Sequence, residues 1–299
     1  MAEIGVTARP VSEFRNRNLL IRILSAMAMI PPVLAATYMG APYFNILITA
    51  AAAAMAWEWC GMINGGRFNY EGWVLTCGLV GAVIAASMGA YTHSLFVLGL
   101  LGALLVGISE ARRLTTNLPL HSDQMDQAVN PKRTMWMVVG VVYIGIPSLS
   151  LIWIRNDWEN GLLTVFWLLV LVWAADSGAY AAGRLIGGPK MAPKISPNKT
   201  WAGLGGCVVA AAIAGAVIAH VAALEHFGMI KALLVSALVG LVSQGGDLVE
   251  SAVKRHFKVK DSSQLIPGHG GVLDRVDALL AAIAAAALIG FSNRFVLIS

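Results

Sequence analysis

The sequence predicts an all-α, polytopic membrane protein with about nine transmembrane helices. Of its 299 residues 58% are hydrophobic and only 12% are charged, whereas a soluble domain carries about 25% charged residues. Its apolar runs also reach the roughly 20 helical residues that are needed to cross a hydrocarbon core of about 30 Å. These two observations exclude an ordinary soluble domain.

The apolar runs follow one another along the chain with short polar connections. We place nine spans near residues 19–38, 41–62, 72–90, 92–109, 134–154, 162–183, 202–224, 229–249 and 274–292. The first span follows a polar lead and is too long for a signal peptide, so we expect it to be retained. The polar stretch 110–133 predicts a division into an N-terminal transmembrane region, 1–133, and a C-terminal catalytic transmembrane region, 134–299.

Lysine and arginine residues sort between alternate loops, which predicts a cytoplasmic N-terminus by the positive-inside rule. In that orientation seventeen basic residues lie inside and only Arg155, Lys231 and Arg294 lie outside. Basic loops beside anionic lipid account for the net charge of +5, so no nucleic-acid partner is expected. The predicted location is the cell inner membrane, with the active site facing the cytoplasm.

Several carboxylates fall within the apolar spans, where an ionisable group costs at least about 2.5–3.5 kcal/mol at the bilayer centre. Asp176 and Asp247 come near the cytoplasmic ends of spans six and eight, and Asp274 and Asp277 open span nine. Carboxylates bind magnesium, which in turn bridges the oxygens of a substrate phosphate. The pattern indicates metal-phosphate chemistry, although Asp274 as a helix cap and Asp176 as a structural partner remain open alternatives.

Glu58 also lies within a span, but only two tryptophans flank it in the sequence. We therefore interpret it as structural rather than catalytic. Its replacement by glutamine is expected to leave most activity intact.

Two polar loops accompany the acidic residues. Residues 189–201 combine lysines, hydroxyls and prolines, which fits either a substrate-binding wall or an interfacial lipid anchor. Residues 262–271 are rich in glycine and could offer backbone N–H groups to a phosphate, although an ordinary turn is an equal alternative. The three cysteines, Cys60, Cys77 and Cys207, lie within spans and are expected to be inert.

The segment from 251 to 277 carries the densest pattern, in which eleven defined positions occur: Ser251, Lys254, Arg255, Lys260, Asp261, His269, Gly270, Gly271, Asp274, Arg275 and Asp277. It resembles the CDP-diacylglycerol synthase family at each of these spacings. Two further blocks, 175–180 and 193–201, are also similar to that family. The resemblance covers about 134–299, and the first four spans match only in hydropathy.

The resemblance implies that a phosphatidate oxygen attacks the α-phosphorus of CTP, which yields CDP-diacylglycerol and pyrophosphate. The cofactor implied is Mg²⁺, as one or two divalent ions held by Asp247, Asp274 and Asp277. The catalytic residues implied are Asp247, Asp274, Lys254, Arg275 and Asp176. The substrate-binding residues implied are Ser196, Asn198, Lys199, Thr200, Ser251, Arg255, Lys260, His269, Gly270 and Gly271.

The partners expected are CTP, phosphatidate and membrane lipid, and a homodimer is left open. A cation-coupled transporter is the alternative function, but its acidic residues are expected near the bilayer midplane rather than at one face. A CDP-alcohol phosphotransferase is a weaker alternative, because its aspartate-rich motif is not found in the sequence.

Overall fold

Helices make up almost all of the chain that is described by the computed structural model, which covers residues 25, 27–116, 131–221 and 228–292. The helices are α1 (Met27–Met39), α2 (Tyr43–Ile63), α3 (Tyr70–Ser87), α4 (Tyr91–Thr116), α5 (Pro131–Asp157), α6 (Gly161–Leu185), α7 (Trp201–Val221), α8 (Met229–His256) and α9 (Leu273–Ser292). Each predicted span coincides with one of these helices. Residues 19–24 and 26 of span one lie outside the described residues.

Seven of these helices, α2 to α8, are long and apolar enough to cross a membrane. The described part of α1 is shorter, and α9 begins with the charged residues Asp274, Arg275 and Asp277. The predicted all-α, multi-pass membrane architecture is therefore confirmed. The side of the membrane on which the termini lie stays a prediction.

A β-hairpin between α6 and α7 is the main local difference from the expected loop at 189–201. Its strands are β1 (Lys190–Ala192) and β2 (Ser196–Thr200), which pair antiparallel with Lys190 opposite Thr200. The backbone N–H of Gly203 donates to the Thr200 hydroxyl at 3.0 Å, so Thr200 caps the first turn of α7. The cap fixes the hairpin to the end of a transmembrane helix.

Small residues allow the helices around the C-terminal part of the chain to approach closely. Gly178 on α6 faces Gly206 on α7, and a Cβ atom added to either would lie 2.5 Å from the other's carbonyl oxygen. Gly240 on α8 faces Ala211 on α7 in a similar way. Such contacts are typical of membrane helices, which associate by close packing at small residues. They bring the ends of α6 and α8 together, and α9 packs against both.

The hydrophobic core continues from the N-terminal helices into the C-terminal ones. The indole N–H of Trp59 on α2 donates to the carbonyl oxygen of Trp136 on α5 at 2.9 Å. The Trp59 ring also stacks on Tyr143 of α5. Because α2 packs against both α5 and α9, α2 reaches the part of the molecule that holds the candidate site. The division at residue 133 stays a prediction.

Candidate active site

Three carboxylates from three different helices lie near enough to influence one another electrostatically. Asp247 on α8 interacts electrostatically with Asp176 on α6 and with Asp277 on α9. Asp247 and Asp277 are half-buried, and Asp176 is exposed. Gly246 keeps α8 and α9 close at this level, since a Cβ atom there would lie 3.0 Å from the carbonyl oxygen of Asp277. The helices thus concentrate negative charge at a partly open position.

The hairpin supplies a cation to this cluster. The ammonium nitrogen of Lys199 lies 2.7 Å from Oδ2 of Asp247 and also donates to the carbonyl oxygen of Gln244 at 3.4 Å. The hydroxyl of Ser251 donates to Oδ1 of Asp247 at 3.3 Å. Lys199 therefore links β2 to the acidic cluster.

Lys254, expected as a catalytic residue, is buried between two carboxylates. Its ammonium group forms ion pairs with Glu250, one turn earlier on α8, and with Asp274 on α9, where the Nζ to Oδ1 distance is 2.8 Å. Lys254 is only 9% exposed, and Glu250 is fully buried. Buried charges of this kind require partners. To bind a phosphate directly, Lys254 would have to leave one of these carboxylates.

Asp274 is occupied by the loop that precedes α9. Its carboxylate accepts hydrogen bonds from the backbone N–H of Ser262 at 2.8 Å, from the Ser262 hydroxyl at 2.9 Å and from the backbone N–H of Gly271 at 2.8 Å. Lys254 completes the set of donors. Since both oxygens are engaged, a divalent ion at Asp274 would have to displace Lys254 or a backbone amide.

Asp247 and Asp277 have fewer donors than Asp274: Lys199 and the Ser251 hydroxyl contact Asp247, and the backbone N–H of Ala278 donates to Asp277 at 2.7 Å. Among the described residues, no three His, Cys, Asp or Glu side chains enclose a metal position. Magnesium does not need such a cage, because it is commonly bound by one or two carboxylates together with substrate phosphates and water. Asp247 and Asp277, on facing helices, offer such a pair. Asp176 adds negative charge beside it.

Glu58 has polar partners that its sequence neighbours do not reveal. It is 1% exposed and accepts hydrogen bonds from the backbone N–H groups of Val272 and Leu273, both at 2.8 Å. The Ser263 hydroxyl donates to it at 2.7 Å, and the Ser262 hydroxyl oxygen lies 3.3 Å from it. The interpretation of Glu58 as structural rested on an apolar environment, and that premise is wrong.

The glycine-rich loop satisfies its own backbone groups. The N–H groups of His269 and Gly270 donate to the carbonyl oxygen of Ile266, and Ile266 N–H donates to Gly270. Gly268 and Gly270 have φ values of 77° and 85°, which favour glycine. With Ser262, Gly271, Val272 and Leu273 N–H also engaged, most of this loop has no N–H left for a phosphate. The expectation that this loop binds a phosphate through its backbone N–H groups therefore does not fit this arrangement.

The other residues expected to bind substrate or to act in catalysis differ in exposure: some are buried or hydrogen-bonded within the protein, and others are exposed. The Thr200 hydroxyl is buried as the cap of α7, which leaves it no free face for a substrate. The Arg255 guanidinium donates to the carbonyl oxygens of Ile195 and Val259 at 3.3 and 2.9 Å, and the His269 ring lies 2.7 Å from the Ser25 hydroxyl. The remaining positions are half-buried Ser196 and exposed Asn198, Lys260 and Arg275.

Sequence reasoning did not find the contact between Glu58 and Ser262. The cost of a carboxylate within an apolar span was the available signal at Glu58. Its partners lie 204 to 215 residues away along the chain. Local sequence could not show them.

Comparison with known proteins gives a consistent assignment over nearly the whole chain. Residues 20–292 match the cytidylyltransferase family. The chain is 37% identical over 278 residues to a phosphatidate cytidylyltransferase of Brucella suis, which covers 91% of this chain and 93% of that protein. It is 34% identical over 271 residues to that of Pseudomonas aeruginosa, with 88% and 93% covered.

A third relative, the phosphatidate cytidylyltransferase of Haemophilus influenzae, is 33% identical over 285 residues, with 88% of this chain and 95% of that protein covered. The similarity thus extends into the N-terminal helices. The expectation that the first four spans match in hydropathy alone was too narrow.

Proposed function

The chain belongs to the cytidylyltransferase family and is a membrane-embedded nucleotidyltransferase, and from that premise we propose that it transfers the cytidylyl group of CTP to phosphatidate. The products are CDP-diacylglycerol and pyrophosphate. The observation that carries this proposal is the proximity of Asp176, Asp247 and Asp277 to one another and to Lys199. All four residues lie within the part of the chain that matches the family. The relatives lend no support to a cation-coupled transporter.

The reaction forms one P–O bond and breaks another. An anionic oxygen of the phosphatidate phosphate attacks the α-phosphorus of CTP, and the bond from that phosphorus to the bridging oxygen of the β-phosphate breaks. Pyrophosphate takes the electron pair and leaves. Since the nucleophile is already anionic, no general base is required, and the chain contributes by positioning and by charge neutralisation.

We assign the magnesium site to Asp247 and Asp277, with Asp176 beside them. When bound there, the ion would neutralise negative charge on the transferring phosphoryl group. Asp274, expected as a ligand from the resemblance, acts here by holding Lys254 and the loop before α9. What supports this assignment is the number of donors: four donors already bind the Asp274 carboxylate, whereas Lys199 and the Ser251 hydroxyl contact Asp247.

Lys199 is the residue best placed to meet a substrate phosphate. It is 15% exposed, and its partner Asp247 is 29% exposed, so both remain accessible from the same side. The two charges neutralise each other across this contact. The Lys199 ammonium group could donate to a phosphate oxygen of CTP, and Asp247 would be one of the residues that hold the magnesium ion. Exposed Asn198, Lys260 and Arg275 would bind the remaining oxygens of CTP or of the departing pyrophosphate.

The lipid substrate would approach from the bilayer beside the hairpin. Leu185, Ile186 and Trp201 are exposed apolar residues that flank the hairpin, and Trp favours the membrane interface. Acyl chains can stay in lipid while the phosphate reaches Lys199. We propose that this end of the bundle faces the cytoplasm at the inner membrane, because seventeen of the 21 lysines and arginines then lie on the cytoplasmic side.

The decisive assay incubates purified protein with phosphatidate, labelled CTP and Mg²⁺ and measures lipid-extractable cytidine. We expect CTP-dependent product that EDTA abolishes and that UTP does not replace. A protein that is folded in detergent and makes no lipid-linked cytidine under these conditions contradicts the proposal. Equal turnover of UTP would contradict only the nucleotide specificity.

A further inference from the structure

We propose that Glu58, on the second helix of the N-terminal half, is a positioning residue for the active site. It holds the segment 262–273 that carries Asp274 into α9. This inference rests on the proposed function, since the segment matters for catalysis only if the acidic cluster beside it is the reaction centre.

The Glu58 carboxylate is fully used by this segment. Oε1 accepts from Val272 N–H and from the Ser263 hydroxyl, and Oε2 accepts from Leu273 N–H and lies 3.3 Å from the Ser262 hydroxyl. The first N–H groups of a helix have no partner within the helix. Glu58 supplies an acceptor to the amides at the start of α9, and its negative charge suits the positive end of the helix dipole.

The contacts continue from Glu58 to the reaction centre. The Ser262 hydroxyl lies between the two carboxylates, 3.3 Å from Glu58 and 2.9 Å from Asp274. Asp274 then pairs with Lys254 on α8, and Asp277 follows three residues later on α9. A displacement of Glu58 therefore moves the first turn of α9, from which Asp277 faces Asp247.

The packing leaves no room for adjustment at this point. A Cβ atom added to Gly271 would lie 2.1 Å from the Ser262 hydroxyl oxygen and 2.5 Å from Oε1 of Glu58. Glu58 is itself fixed because the neighbouring Trp59 is held on α5 by its hydrogen bond to Trp136. The N-terminal helices thus provide a rigid support for the catalytic segment.

Substitution by glutamine tests positioning with little change in size. Glu58→Gln replaces one acceptor oxygen with an NH₂ donor, which faces a backbone N–H and leaves that amide without a partner. We expect kcat/KM for CTP to fall about tenfold to a hundredfold, from the cost of an unsatisfied buried group. Hydrogen–deuterium exchange should become faster in peptides covering 262–273 and remain unchanged in α7, a pattern that general destabilisation does not produce.

Glu71→Gln is the matched control. Glu71 is also a glutamate of the N-terminal half, on α3, and accepts from the Tyr70 hydroxyl at 2.8 Å and from the Asn69 amide at 3.2 Å. Its partners among the described residues, Asn69, Tyr70 and Arg112, all lie outside the 262–273 segment, so activity and exchange in that segment should match wild type. Ser262→Ala provides a milder second variant, for which we expect a fall of about threefold to tenfold and faster exchange at 271–273.

The outcomes separate this inference from the proposed function. Unchanged exchange at 262–273 in Glu58→Gln, or in Ser262→Ala if the first variant fails to insert, overturns the positioning role whatever the activity. Faster exchange with wild-type kcat/KM shows that the segment does not serve catalysis and also overturns it. If the wild-type protein makes no lipid-linked cytidine, it is the proposed function that fails, and the exchange data still report on how Glu58 holds the segment.

Discussion

The ammonium nitrogen of Lys199 lies 2.7 Å from a carboxylate oxygen of Asp247, and this contact joins a hairpin outside the helical bundle to a helix within it. Both groups remain partly exposed. The pair therefore brings the proposed phosphate contact, Lys199, next to a proposed metal ligand, Asp247.

Lys199→Met should remove the phosphate contact and leave Asp247 without its cation. We expect kcat/KM for CTP to fall about a hundredfold, which corresponds to roughly 2.7 kcal/mol. Initial rates with phosphatidate vesicles measure the effect. Lys194→Met, an exposed lysine at the turn of the same hairpin, should retain nearly full activity. Equal effects of the two substitutions would show that general surface charge matters and not the Lys199–Asp247 contact.

Asp247→Asn should abolish most turnover, because the amide keeps the shape of the side chain but not the charge that binds magnesium. We expect a fall of about a thousandfold, or roughly 4 kcal/mol of transition-state free energy. The double variant with Asp277→Asn should be scarcely worse, since residues that act as a unit are non-additive. Near-normal rates for well-folded Asp247→Asn protein at limiting magnesium would contradict the metal assignment.

Asp274→Asn distinguishes a loop-holding carboxylate from a metal ligand. The amide group cannot accept from all the donors around Asp274, so we expect a loss of about 1–3 kcal/mol in stability together with reduced activity. Magnesium titration at a fixed CTP concentration should not restore the rate. For Asp277→Asn, by contrast, higher magnesium should recover part of the activity. Recovery of Asp274→Asn by magnesium would return Asp274 to the ligand set.

Gly271→Ala should inactivate the protein by forcing the loop away from Glu58 and Ser262. At 2.1 and 2.5 Å from the added Cβ atom, the Ser262 hydroxyl and the Glu58 carboxylate would have to move, which would disturb the hydrogen bonds that Glu58 accepts at the start of α9. Gly107→Ala on α4 is the matched control, because nothing lies within 4 Å of the added Cβ atom. The assay is kcat at saturating substrates. Normal turnover of Gly271→Ala would show that this part of the loop is more adaptable than its packing indicates.

Cysteine labelling tests the orientation in the membrane. Single cysteines at Lys194 and Gln264, in a background from which Cys60, Cys77 and Cys207 have been replaced, should resist an impermeant maleimide in spheroplasts and react after lysis. Both positions are exposed, so access to the reagent is limited only by the membrane. Reaction of both in intact spheroplasts would reverse the orientation and would place the acidic cluster on the outer face.

The transmembrane architecture could be predicted because it depends on local composition. A run of about 20 apolar residues has few alternatives in lipid, so the helices occur where hydropathy places them. The meeting of Asp176, Asp247 and Asp277 could also be anticipated, because alternate spans enter the membrane from the same side. The hairpin could not, since the pairing of Lys190 with Thr200 depends on a turn that prolines and lysines do not by themselves specify.

The directions of individual side chains in the site could not be predicted in the same way. The sequence spacing places Lys254 on one face of α8 with Glu250, but it does not show whether that face points to solvent or to α9. The occupation of Asp274 by Ser262 and Gly271 depends on the loop conformation. The role of Glu58 depends on residues more than 200 positions away, and no local pattern shows such contacts.

The long separation in sequence between Glu58 and its hydrogen-bond donors also determines when, during synthesis, the contacts of Glu58 can form. Glu58 leaves the ribosome 204 residues before Ser262, which takes about 10–40 s at a translation rate of roughly 5–20 residues per second. During that interval α2 carries a carboxylate without the amides and hydroxyls that later surround it. The carboxylate of Glu58 therefore obtains its hydrogen-bond donors only after α9 has been made. A chain that ends before α9 would keep Glu58 in an apolar helix without these donors.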